Sequence, residues 1–264
     1  MKITALNDVF IRVHKSERAL GDIWFIHGFG ESSLSFSEAF SSVLCEIFNL
    51  YAPDLPGFGV SPFNPDRLHL ADAIDTLKML VREISGDRPL FIVGHSLGGI
   101  LGTWLSKHLE AQVKGYVSIE GNLTKADTFG TSLTNGFDDP DEFYRFLLDR
   151  MYKLADGSDL PLQRYFASLR LAHPKAMLAY GKECVVATGE TKAGREYIAL
   201  KCPTLYFWGD KSTPERTKLY IEENNINNLP FQNCGHWLMI DNPKRCYSAI
   251  REFFINFADG SFLT

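Results

Sequence analysis

Short apolar blocks that end in glycine recur along the first half of the chain: IWFIHGFG at 23–30, FNLYAPDLPGFG at 48–59, PLFIVGHSLGG at 89–99 and YVSIEGNL at 116–123. A continuous apolar run that gives way to glycine predicts a strand buried on both faces, as in a parallel sheet, entering a loop. Between these blocks, Ser33 to Leu44, Leu68 to Ile84 and Ile100 to Leu109 carry apolar residues at helical intervals. The strand of the last block spans Val113 to Ile119, and the loose alternation of Ile3 to Val13 predicts an opening strand paired in a hairpin at the sheet edge. Alternating strands and helices of this size predict a mostly parallel sheet with helices on both faces, whose catalytic loops gather at the carboxyl ends of the strands.

After Asn122 the rhythm stops. From Leu123 to about Arg195 no strand is predicted, and amphipathic stretches such as DEFYRFLLDRMYKL are separated by Pro140, Pro161 and Pro174, read as helix breaks. The α/β rhythm resumes with PTLYFWGD at 203–210, a helix from Pro214 to Asn224, a short strand near Leu229 to Gln232 and a closing helix from Pro243 to Phe257. This divides the chain into an α/β core, residues 1–122 and 196–264, and an inserted helical cap, residues 123–195.

Composition narrows the function. With 264 residues, 45% hydrophobic and 22% charged, the chain buries a sizeable core without staples. A formal charge of -5 with no basic stripe argues against nucleic acid or a membrane surface as partner and leaves a small-molecule substrate. Cys45, Cys184, Cys202, Cys234 and Cys246 lie far apart, as free thiols of a reducing compartment do, so the cytoplasm is the expected location. There is no metal-ligand cluster and no phosphate-binding G-x-G-x-x-G, so no cofactor is expected.

GHSLGG at 94–99 stands between the most apolar strand and a helix, the setting a nucleophile elbow requires. Ser96 must sit in a strained turn, so Gly94 and Gly98 must lack side chains where strand and helix approach. A serine hydroxyl needs a base, and His236, in the CGHW loop near the chain's end, is the candidate. His14, His69, His108 and His173 have no such setting; His95 reads as elbow packing and His27 as a hydrogen-bonder under its loop.

HGFG at 27–30, DLPGFGVS at 54–61, GHSLGG at 94–99 and GHW at 235–237 lie in the order and at the intervals of the α/β-hydrolase superfamily, which the chain resembles over nearly its whole length, least in 123–195. The resemblance implies an eight-stranded, mostly parallel sheet with a helical cap after the sixth strand, and a Ser, acid and His triad in that order. It also implies an oxyanion hole from the N–H groups of Leu97 and Phe29.

The acid departs from the usual pattern. In most relatives it is an aspartate three residues after the glycine that ends the seventh strand; counted from Gly209, that place holds Ser212. Glu120, at the end of the sixth strand, stands where haloalkane dehalogenases carry theirs, and its length suits it to reach the histidine from there. We assign Glu120 as the acid and keep Asp210 as the alternative. The elbow serine directs the chemistry away from alkyl halides and epoxides toward acyl transfer to water.

The expected activity is therefore hydrolysis of a small, largely apolar ester, thioester or lactone through an acyl-serine. Phe29, Trp237, Leu238 and the cap residue Phe137 are expected to line the pocket; Phe143 and Tyr144 are further candidates. Amide or carbon–carbon bond hydrolysis with the same triad, and a ligand-binding or signalling protein with little turnover, remain as alternatives. An activity through Cys234 carries little weight, because a free cysteine is most often a small buried hydrophobe.

Overall fold

Strands β3 (Asp22–Ile26), β5 (Leu90–His95) and β6 (Val113–Ile119) occupy the middle of the sheet, and the residues on their two faces feed two separate cores. The computed structural model describes residues 2–155, 157 and 159–258. With β1 (Lys2–Leu6), β2 (Val9–His14), β4 (Asn49–Pro53), β7 (Thr204–Gly209) and β8 (Asn228–Phe231), these strands form one eight-stranded sheet in the order β1-β2-β4-β3-β5-β6-β7-β8. β2 runs antiparallel to β1 and to β4, and every other pairing is parallel.

The continuous apolar runs are explained by burial on both faces. Trp24, Ile26, Ile92 and Tyr116 point into the core formed with helices α1 (Leu70–Ser85) and α2 (Leu97–His108). Their neighbours Phe25, Val93 and Val117 point into the opposite core, against Phe36, Phe40 and Phe254. Full burial of each such side chain contributes about 1.5–3 kcal/mol relative to exposure.

The opening segment is itself the hairpin. Asn7 and Asp8, with φ of 48° and 65°, form the turn between β1 and β2, a conformation these residue types tolerate. Residues 33–46 form two short 3-10 segments, Ser33–Ser41 and Val43–Glu46, rather than one continuous helix. Ser32 and Ser42 each accept a backbone N–H at the segment starts and break the run into two.

Among the described residues four α-helices lie between β6 and β7: α3 (Pro140–Leu154), α4 (Leu160–Leu169), α5 (Pro174–Thr188) and α6 (Lys192–Ile198). Pro140, Pro161 and Pro174 lie in the first turns of α3, α4 and α5, so they start helices; the missing N–H of proline has no partner to lose there. Phe143, Leu147 and Met151 form the buried stripe of α3 at four-residue spacing. The helices α7 (Glu215–Glu223), α8 (Leu238–Asp241) and α9 (Pro243–Ala258) complete the chain. Among the described residues no helix is long and apolar enough to cross a membrane.

Candidate active site

Ser96 sits between β5 and α2 with φ 53° and ψ -121°. A non-glycine residue in that region is strained by about 1–3 kcal/mol, and it is held there by the close approach of the glycines beside it. A Cβ at Gly94 would lie 2.3 Å from the Gly98 carbonyl oxygen, and one at Gly98 would lie 2.1 Å from that of Ile26. Only glycine fits either position, as the elbow spacing predicts. Of the positive-φ residues other than glycine, Asn7, Asp8, Asn225 and Asn233 are of types that tolerate the region; the remaining two are Ser96 and Glu120, whose φ is 47°.

Glu120, the residue after β6, is buried, and its carboxylate is fully engaged. Oε2 lies 3.0 Å from His236 Nδ1, and Oε1 accepts the Gly209 N–H at 2.6 Å and the Thr213 hydroxyl. Burial would raise the carboxyl's pKa, but the hydrogen bonds and the charge of His236 outweigh it and hold it below the ordinary 4.5. The β7 loop, where Ser212 takes the usual acid's place, therefore provides donors to a carboxylate from β6. Asp210 is exposed, and its side chain makes no hydrogen bond among the described residues, whereas its N–H donates to Phe231.

With Nδ1 of His236 facing Glu120, Nε2 is left for the cavity. That cavity, of about 580 Å³, is lined by Ser96, His236, Phe29 and Trp237 together with residues of α3, α4 and the preceding loop. No direct hydrogen bond joins Ser96 to His236 among the described residues; such bonds are often long before substrate binds. The N–H groups of Phe29 and Leu97 make no backbone hydrogen bond among the described residues. That of Leu97 opens helix α2, where the helix dipole favours a negative charge.

Two expected pocket residues lie elsewhere. Leu238, on the one-turn helix α8, is fully buried in the core that holds Phe25 and Phe254, next to Gly209. Phe137 packs edge-on against Phe143 and beside Phe146 within the helical segment. Phe129, Leu147 and Met151 take part in the wall instead. Cys234 is buried away from the cavity, with its thiol pushed up by burial. His27 holds its loop from below, its Nδ1 bonding the Gly28 carbonyl and its Nε2 accepting the Leu55 N–H. In DLPGFGVS, Asp54 accepts the N–H groups of Ser33 and Val60, so this motif is scaffold.

No motif or spacing marked Thr213, Glu31 or Tyr165 as site residues. Glu31 and Tyr165 line the cavity, and Thr213 stands behind Glu120. Glu31 is 2% exposed and pairs with His95, which is fully buried. Burial would raise Glu31, yet the charge and hydrogen bond of His95 bring it down to about 2, and the same pairing raises His95 although burial alone would lower it.

The signs of these shifts set a pH window. The contribution of ionised Glu31 is present above its ordinary 4.5 and is lost as pH falls toward about 2. That of protonated His95 is complete below its ordinary 6.5 and is lost as pH rises through its raised value. The pair's contribution to the urea-unfolding free energy is therefore expected to peak between 4.5 and 6.5. A Glu31→Gln/His95→Gln double variant should flatten the alkaline limb of that profile; an unchanged alkaline limb would contradict the assignment.

The family model described as alpha/beta hydrolase fold matches residues 23–243. A sequence comparison with curated proteins finds no match. Among solved structures, a hydrolase from Pseudomonas aeruginosa is similar at 17% identity, covering 96% of this chain and 97% of its own, with a TM-score of 0.74. A thermophilic esterase from Thermogutta terrifontis is 17% identical, covering 95% and 94%, with a TM-score of 0.73. An N-acyl homoserine lactonase, AidH, in complex with N-butanoyl homoserine, is 16% identical, covering 97% of each chain, with a TM-score of 0.74. At these identities the likeness concerns the fold, and the family match over 23–243 extends it to the sequence: the chain belongs to the alpha/beta hydrolase fold family.

Proposed function

We propose that this protein is a serine hydrolase of small, largely apolar carboxylic esters, thioesters or lactones. The observation that carries this reading is the His236–Glu120 pair, 3.0 Å apart, on a cavity whose wall also holds the strained Ser96. In this reading Glu120 fixes the ring through Nδ1–H, and Nε2 takes the Ser96 proton as the oxygen attacks the carbonyl carbon. The N–H groups of Phe29 and Leu97 receive the developing oxyanion, a donor of this kind being worth about 3–4 kcal/mol in the transition state. His236 then protonates the leaving alkoxide or thiolate, and a water activated by the same nitrogen releases the acid and regenerates Ser96.

The wall favours an apolar acyl group, since Phe29, Phe129, Leu133, Leu147 and Met151 all face the cavity. The test is a fluorophosphonate probe followed by p-nitrophenyl esters of increasing acyl length. Prompt labelling is expected, with kcat/KM rising about fourfold per added methylene until the cavity is full. Folded protein that neither labels nor hydrolyses any ester would sink the reading and favour a binding role.

A further inference from the structure

Behind the proposed catalytic histidine lies a second histidine and carboxylate that the acyl-transfer steps do not use. His95 is the residue before Ser96. Its Nδ1 is 3.0 Å from Glu31 Oε2 and 2.9 Å from Oε1, and its Nε2 is 2.9 Å from the backbone carbonyl oxygen of His236. A carboxylate and a carbonyl both accept, so both ring nitrogens must carry protons, which makes His95 an imidazolium. Glu31 also accepts the Gly28 N–H at 3.0 Å and the Trp237 indole N–H at 2.8 Å. Its neutralisation inside the fold depends on His95, because burying either charge alone would cost far more than burying the pair.

The connections matter because of where they end. Through one buried pair, the elbow strand is bonded to the loop carrying the Phe29 N–H and to the loop carrying His236. These three segments come from different parts of the chain, |i−j| being 64 for His95 with Glu31 and 141 for His95 with His236. The rings of His95 and His236 lie 4.7 Å apart between centroids, so a shift of one backbone carries the other ring with it.

We propose that the Glu31–His95 ion pair is a positioning unit: it sets the backbone of His236 and the 27–31 loop against Ser96. The proposal rests on the reading of Ser96 and His236 as nucleophile and base. The titratable groups facing the pair are His27 from its own loop, Glu120 and His236 across the end of β6, and Tyr165 from α4. None of these supplies a second cation in fixed contact with Glu31. Misplacing a reacting group by about 1 Å is enough to lower a rate roughly 100-fold.

The test combines kinetics with the imidazole nitrogen resonances of His95. In the wild type these should show both nitrogens still protonated just above pH 6.5, where an unperturbed histidine is mostly neutral. In Glu31→Gln they should show the neutral ring. His95→Ala and Glu31→Gln are each expected to lower kcat for a p-nitrophenyl ester by roughly 30- to 100-fold with little change in KM. His95→Gln, whose amide nitrogen can still donate toward the His236 carbonyl but which leaves Glu31 without its cation, should recover only part of the loss seen in His95→Ala. All three variants are compared as folded protein, judged by thermal unfolding above the assay temperature.

A neutral His95 in folded wild type overturns the proposal. So does kcat within about threefold of wild type in both His95→Ala and Glu31→Gln, or a loss confined to KM or to unfolded protein. A wild type that fluorophosphonate does not label overturns the serine hydrolase reading itself, and the proposal with it. A labelled wild type with unaffected variants overturns the proposal alone.

Discussion

Ser96→Ala is expected to lower kcat on p-nitrophenyl esters by about five to six orders of magnitude and to abolish fluorophosphonate labelling. In the proposed mechanism the oxygen at position 96 forms the covalent bond, so its removal would leave only the oxyanion donors and substrate binding to act on water. Such residual sites retain roughly 10³- to 10⁴-fold catalysis over the uncatalysed reaction. Folding should survive the change. The Ser96 side chain makes no capping hydrogen bond, and the strained backbone at φ 53° is imposed by the glycines around it. Binding of product acids should also persist, since the apolar wall is untouched. Ser96→Ala that keeps more than about one-hundredth of wild-type kcat would place the nucleophile elsewhere on the cavity.

The second large effect concerns the acid. Glu120→Gln is expected to reduce kcat by about 10³- to 10⁴-fold, while Asp210→Asn leaves it within about threefold. The amide retains the size of the carboxylate and an oxygen for the Gly209 N–H, so packing changes little. In the proposed mechanism, what it loses is the charge that stabilises His236 once the ring has taken a second proton. The amide also permits the wrong tautomer, because its nitrogen can donate to Nδ1. Since Glu120 is held below its ordinary 4.5, the wild-type acid should stay ionised as pH falls to that value, and the loss in Glu120→Gln should be nearly constant above it. A loss in Asp210→Asn with Glu120→Gln unimpaired would reverse the assignment. That outcome would require the loop after β7 to rearrange, since Asp210 is exposed while Gly209 and Thr213 hold Glu120.

The parts of this molecule that the sequence alone determined are those set by neighbours along the chain. Apolar runs ending in glycine marked β3, β5 and the elbow, because a strand buried on both faces needs apolar residues throughout and a turn packed under a helix needs glycine. The spacing of Gly94, Ser96 and Gly98 foretold a strained serine for the same local reason. Pro140, Pro161 and Pro174 were legible as boundaries, although only the folded chain shows that they begin helices.

Only the tertiary structure decided which groups meet. Glu120 and His236, 116 residues apart, are joined because β6 and β7 are adjacent, and the end of β7 and the loop after it bring the Gly209 N–H and the Thr213 hydroxyl onto the same carboxylate. The inward turn of Leu238, the packing of Phe137 within the helical segment after β6 and the pairing of Glu31 with His95 likewise depend on strand order and loop path, to which no period in the sequence corresponds. Local propensity fixes a residue's element, but a side chain's partner is fixed by which elements the sheet sets side by side.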